Sequence, residues 1–333
     1  MIEYEKLVNP AHVSCRNPPH NITEDDSQLF QHEYSTVICA TTLLKLKNVD
    51  ILQNTIFDLS SFHFFASFTH IQGSFTLKEK LDKLKLFFKP KLSLSDGVWI
   101  TQNWTWMYFH WMTDALTRLI ATEPQRPKST VLLPEFYQAY PFVRESLDIL
   151  GYEYFWFSPK KRIRVKNLTL PSHTASPGNY NDVLLNKLRE KFVLQDAPSF
   201  RNIYISRKNA EQRLVKNEQA LIDLLLQYNV EIHFFEEYTL QKQILLMGET
   251  KLVIGLHGAG LTNMLFMSAG GKILEIRNFG DAHNNCYFSM ASALKHSYYY
   301  QQGVPNQMQT SSAIIEVDLE SFEKVLISMN LTL

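Results

Sequence analysis

From residue 201 to 301 the chain repeats one pattern: a short β-branched or aromatic run, then an amphipathic stretch long enough for a helix. Strand-like runs at 201–206 (RNIYIS), 230–235 (VEIHFF), 251–256 (KLVIGL), 272–277 (KILEIR) and 297–301 (SYYYQ) alternate with helix-like stretches at 216–228, 239–249, 260–268 and 284–294. Parallel strands need a crossover and a helix is the usual one, so the alternation predicts a doubly wound parallel α/β sheet. Thr239 is placed to cap one helix, and Asn229 to end another in the left-handed conformation. Further on, Leu319, Phe322, Leu326 and Met329 fall on one face of a helix over 318–329.

The first 200 residues are less regular. Residues 1–30 are polar and are expected to be an irregular lead-in; 37–70 reads as short strands of an antiparallel meander. The segment 75–95 predicts a basic amphipathic helix stopped by Pro90, with lysines that could face acidic lipid, although a solvated face is the plainer reading. A buried helix over 106–121, a strand at 129–134, a helix over 141–150 ended by Gly151, strands at 152–157 and 163–170, and a helix over 182–194 follow. Residues 195–200 read as a linker, which divides the chain into a β-rich segment over 1–95 packed on the first lobe, the first lobe at 96–198, a second lobe at 199–305, and a strand and helix over 306–333.

The composition narrows the function. Of 333 residues, 45% are apolar and 20% charged, and 33 Lys plus Arg balance 33 Asp plus Glu. That excludes a disordered, collagenous or polytopic membrane chain, and zero net charge argues against a nucleic-acid partner. Cys15, Cys39 and Cys286 are too few and too scattered for a disulfide framework or a zinc site, and point to a reducing compartment. With no signal-like start and no long apolar stretch, a cytoplasmic location is expected.

Three clusters carry chemistry. Seven of the 12 glycines lie between 248 and 280, among them those of Gly255-Leu256-His257-Gly258-Ala259-Gly260-Leu261-Thr262-Asn263, which joins a strand to a helix. Such a turn offers backbone N–H groups and the positive end of a helix to a phosphate. It fits neither the nicotinamide fingerprint nor a P-loop. The second cluster, Ser206-Arg207 with Arg213, Asn217 and Glu218, follows the first strand of the same lobe. Ligands of open α/β sheets bind at the carboxyl edge of the strands, where Arg207, His257, Glu275 and Arg277 converge, in outline a nucleoside-diphosphate site. The third cluster is aromatic: Trp104, Trp106, Tyr108, Phe109, His110 and Trp111, with Asp114 one helical turn beyond His110. His110 and Asp114 share a helical face, so either could be a general base, or the two could be a core pair. No metal-binding pattern is present, and no metal or other cofactor is expected.

In this order the clusters resemble glycosyltransferase family 61. The resemblance rests on Tyr108-Phe109-His110-Trp111 with Asp114 and Arg118-Leu119, on Ile203-Tyr204-Ile205-Ser206-Arg207 with Arg213 and Asn217-Glu218, and on His257-Gly258-Ala259-Gly260-Leu261-Thr262-Asn263 with Phe266-Met267 and Glu275. Two positions depart from the family pattern: Met107 stands where Asn is usual, and Thr117 where Pro is. The resemblance implies a GT-B-like architecture, two Rossmann-like lobes with a cleft between them. It implies an inverting, metal-independent transfer from a nucleotide sugar, expected to be UDP-linked, to a glycan or lipid-linked glycan in bacterial surface-polysaccharide assembly. The donor would lie on Arg207, Arg213, Asn217, Glu218, His257 to Asn263 and Glu275; Asp114 or His110 would be the base, and Trp104, Tyr108 and Trp111 would face the acceptor. A peripheral contact with the inner membrane or with other polysaccharide enzymes belongs to the same expectation. The competing readings are another GT-B-fold sugar-nucleotide enzyme, an epimerase or hydrolase, and an inactive sugar-binding scaffold.

Overall fold

The computed structural model describes residues 2–71, 73–123, 130–193, 198–210, 212–307, 309–310 and 312–332. The chain groups into two compact units, one of residues 1–12, 38–176 and 183–188, the other of residues 13–37, 177–182 and 189–333. Residues 195–197 of the expected linker, and residue 194 before it, lie outside the described residues.

The second unit holds a seven-stranded sheet in the order Leu214–Val215, Ile314–Glu316, Ser297–Pro305, Lys272–Asn278, Thr250–Leu256, Arg201–Ile205, Glu231–His233. The last five are the expected strands, and all pair in parallel. Their apolar runs are continuous because both faces are covered. On one face Tyr204, Leu252, Ile254, Leu274 and Ile276 pack against Leu221 and Leu225 of the helix Glu218–Gln227 and against Phe322, Leu326 and Met329 near the chain end. Thr239 accepts from the Lys242 amide at 3.3 Å and opens the helix Leu240–Gly248. Asn229 adopts the left-handed conformation at φ 54°. Of the two remaining strands, Ile314–Glu316 lies within the strand and helix expected over 306–333, whereas Leu214–Val215, of two residues, carries too little pattern to be seen in the sequence.

Residues 13–37, part of the 1–95 segment expected to pack on the first lobe, belong to this second unit. Phe30 is wholly buried, 5.1 Å from the Phe288 ring, 5.0 Å from Tyr300 and 5.9 Å from Tyr298, with the Arg277 guanidinium 4.7 Å over its face.

The first unit holds an eight-stranded mixed sheet. Thr41–Leu52, Thr55–Asp58 and His63–Phe64 form the expected antiparallel meander. The expected irregular start is corrected: Ile2–Asn9 is a strand paired antiparallel with 41–52, its polar residues facing water on an edge. Arg162–Pro171, Lys91–Val98, Val131–Pro134 and Tyr154–Phe157 run parallel. The helix Pro141–Leu150 ends on Gly151, whose φ of 71° suits a residue without Cβ. The basic helix forms over Leu77–Lys85, with a capping box between Thr76 and Glu79. Among the described residues no helix is long and apolar enough to cross a membrane.

Candidate active site

In the second unit, the strand Thr250–Leu256 ends at His257, and the chain turns at Gly258 into a 3-10 helix, Ala259–Phe266, where an α-helix was expected. The glycines allow close approach. A Cβ on Gly255 would stand 3.0 Å from Leu261 Cδ2, and one on Gly260 3.0 Å from Ile205 Cγ2. On Gly258 it would stand 2.7 Å from Arg207 Nη1, so a guanidinium lies directly on the bare backbone of the turn.

That guanidinium is fixed by its neighbours. Arg207 Nε donates to the Arg213 carbonyl and Nη2 to the Gln212 carbonyl, each at 3.0 Å. Arg213 turns back with a left-handed φ of 58°, and its Nη1 donates to the His257 carbonyl at 3.4 Å. Its Nε is buried with no hydrogen-bond partner among the described residues. Burial, and then the charge of Arg213, push the Arg207 pKa below its ordinary value. Two like charges held together, with one buried donor unsatisfied, form an environment that an anion would stabilise.

Behind this edge lies a brace. Glu275 is wholly buried; one oxygen accepts from His257 Nδ1 and the other from the Tyr298 hydroxyl. Burial, and then the Glu275 charge, push the Tyr298 phenol well up. Arg277, also buried, donates to Asn285 Oδ1 at 2.8 Å. The sequence reading gave Glu275 to the donor; instead both its oxygens orient the protein, and His257 Nε2 carries no hydrogen bond among the described residues. Asn217 uses its amide on Val317, donating to the carbonyl at 2.7 Å and accepting from the amide at 3.0 Å. Glu218 accepts from the Tyr204 hydroxyl at 2.8 Å and Ser206 Oγ at 2.9 Å, which steadies the turn into Arg207. Leu261, Thr262 and Asn263 are buried, and Asn263 Nδ2 closes on the Gly260 carbonyl at 3.0 Å. Of the expected donor residues, Arg207, Arg213, His257, Gly258, Ala259 and Gly260 therefore make up the edge itself. Tyr298 and Tyr287, the latter edge-on to His257 at 5.0 Å, were not singled out in the sequence.

In the first unit the aromatic helix opens as one α turn, Tyr108–His110, widens into a π segment, Trp111–Ala115, and resumes as α over Leu116–Thr122. His110 Nδ1 meets Asp114 Oδ2 at 2.8 Å, and both side chains keep some exposure. Asp114 also accepts from Gln102 Nε2 at 3.2 Å and Thr113 Oγ1 at 3.0 Å. Oδ2 is thus shared between His110 and Gln102, the Thr113 hydroxyl divides between Oδ1 and the Phe109 carbonyl, and His110 Nε2 has no hydrogen bond among the described residues. Trp104, partly exposed, lies 5.3 Å from the His110 ring. Tyr108 is half-buried, edge-on to Phe142 at 5.2 Å. Trp111, expected on the acceptor side, is a core residue, wholly buried with Nε1 on Ser146 Oγ at 2.8 Å. Arg118 is buried too, its pKa pushed down to about 9 by burial, and it holds the carbonyls of Ile100 at 2.9 Å and Pro171 at 2.6 Å. His173, absent from the sequence reading, has its pKa pushed down to about 4 by burial and then by the Arg118 charge. Among the described residues no group of three His, Cys, Asp or Glu could hold a metal ion.

The model of the family described as Glycosyltransferase 61 matches residues 108–274. The chain is 31% identical over 114 residues to an EGF domain-specific O-linked N-acetylglucosamine transferase of Drosophila melanogaster, which covers 34% of this chain and 21% of that protein. The proteins of the same name from Bos taurus and Rattus norvegicus are 26% identical over 132 residues and 24% identical over 149. Those matches cover 38% and 43% of this chain but only 25% and 28% of the relatives.

Proposed function

Because the chain belongs to glycosyltransferase family 61, we propose that it moves a sugar from a nucleoside-diphosphate donor, UDP-linked, to an acceptor hydroxyl, with inversion and without a metal ion. The observation that carries the reading is the paired guanidinium of Arg207 and Arg213 against Gly258, at the carboxyl edge of a parallel sheet and the start of a helix. Arginine forks suit a diphosphate, and fixed cations with backbone dipoles can stabilise the leaving charge that a metal would otherwise take. Inversion in one displacement needs a base on the far side of the anomeric carbon from the diphosphate. His110 is the candidate, with Asp114 holding its Nδ1 and leaving Nε2 as acceptor. A GT-B arrangement and a cytoplasmic role in bacterial polysaccharide assembly belong to the same proposal. The names of the relatives favour a second acceptor class, a hydroxyl on a protein domain. Offering both acceptor types with one donor separates the two.

Calorimetry with UDP, GDP, CDP and their sugars tests the donor site. One of them should bind, and Arg213→Ala should lower its affinity about ten- to a hundredfold, the worth of a charge-assisted hydrogen bond. Gly258→Ala should lower it in the same direction, because the added methyl displaces Arg207. If no nucleotide binds, or if both variants bind as the wild type does, the donor assignment fails.

Activity should also survive EDTA. Loss on chelation with recovery in manganese would show a metal in place of the fixed cations.

A further inference from the structure

We propose that the first unit docks on an anionic lipid bilayer through the helix Leu77–Lys85, the following Phe88 and the turn at Phe62. At 3.6 residues per turn Leu77, Leu81 and Leu84 form one stripe. Lys80 lies along one flank, Lys78 and Lys85 along the other, and Glu79 and Asp82 on the opposite face. The fold covers only one end of the stripe: Leu84 is half-buried and packs against the cluster of Leu52, Phe57 and Phe64, whereas Leu77 is 75% exposed and Leu81 54%, and beside them Phe62 is 64% and Phe88 88% exposed. An open groove of about 420 Å³ runs beside it, lined by Phe62, Phe64, Phe75, Leu77, Leu81 and Leu84.

The segment is nevertheless held in place. Phe87 turns inward, edge-on to Phe57 at 6.2 Å, with the Arg162 guanidinium 3.8 Å over its ring. Lys83 lies 4.7 Å over Phe75 and donates to Asn54 Oδ1 at 3.0 Å. Phe88, next in the chain to an anchored Phe87, is thus displayed on a fixed support.

Charge selects the occupant. Lys89 Nζ donates to the Pro159 carbonyl at 2.6 Å, and the Arg162 amide to the Pro90 carbonyl at 3.0 Å, so the turn carrying exposed Lys160 and Lys161 lies beside the segment. Lys78, Lys80, Lys85, Lys89, Lys160 and Lys161 gather here in a chain whose formal net charge is zero. The helical carboxylates are engaged, Glu79 by Thr76 and Asp82 by Lys85 at 2.7 Å. Large apolar side chains standing singly among lysines match the boundary between headgroups and acyl chains. A nine-residue helix is too short to hold a membrane by apolar burial alone, so the basic charge is needed as the second signal.

Sedimentation with vesicles tests this. The protein should pellet with phosphatidylcholine–phosphatidylglycerol vesicles at low salt, not with phosphatidylcholine alone, and should be released by salt. Lys78→Glu with Lys80→Glu should lower the partition coefficient at least about tenfold. Leu81→Asp with Phe88→Asp should do the same, and both variants should keep the wild-type melting temperature, because they alter exposed side chains. Equal binding to both vesicle types, no binding to the anionic vesicles, or wild-type binding by the two variants overturns the proposal. So does a wild type that self-associates in light scattering and becomes monomeric with Phe88→Asp, since the face would then be a contact between copies.

Discussion

His110→Ala should lower turnover by about 10²–10⁴, the usual worth of a positioned general base, with nucleotide affinity unchanged. The proton on Nδ1 is held against Asp114 Oδ2 at 2.8 Å, which leaves Nε2 as the acceptor of the ring, with no hydrogen bond of its own among the described residues. Asp114→Asn keeps the shape but removes the charge that fixes the tautomer, so it should reduce turnover as well. Melting temperature, donor affinity and turnover measured on the same proteins separate a base from a structural pair. Breaking a structural pair lowers all three together, because the remaining partner loses its compensation. Unchanged turnover per folded molecule in His110→Ala would move the base elsewhere, with His257 the next candidate.

Acid should destabilise the fold well before its carboxylates titrate. Burial pushes His70, His173 and His296 from 6.5 down to about 4. A group whose folded pKa is depressed takes up a proton on unfolding. The stability tied to neutral imidazole is therefore complete above about pH 6.5 and is lost as the pH falls toward 4. For a deeply buried ring such as His296, whose Nε2 lies 3.1 Å from the Met264 carbonyl, the loss by pH 5 is about 2 kcal/mol. His70 is partly exposed and contributes less. His70 and His173 act on the first unit and His296 on the second, so both units lose stability in the same pH range. Urea midpoints should fall steeply between about pH 7 and 5, and His296→Asn should flatten the profile. A midpoint constant over that range would show that these rings do not stay neutral in the folded state.

What the sequence disclosed follows from where each signal originates. The five parallel strands were legible because burial on both faces makes each a continuous apolar run, and the glycines from 255 to 260 because close approach leaves only one residue type. The π segment was not legible: one extra residue in a turn leaves the apolar spacing of Trp111, Met112 and Ala115 compatible with an ordinary helix. Aromatic residues were ambiguous, since Trp104 and Trp111 look alike in sequence and only the fold exposes one and buries the other. Polar residues were ambiguous in the same way. Asn217 and Glu275 sit among residues expected to bind phosphate, yet their partners are Val317, His257 and Tyr298, and no local pattern reports pairings that distant.

The interleaving of the two units bears on how the chain assembles as it is made. Phe30 leaves the ribosome long before Phe288, Tyr298 and Tyr300, the rings that enclose it. The second unit cannot close its core by elongation in order; residues 13–37 must wait, unsatisfied, while the whole first unit is translated. A nascent chain stalled after residue 200 would carry an exposed aromatic segment with nowhere to go. Apolar surface exposed for that long is prone to aggregate until the later strands arrive to cover it.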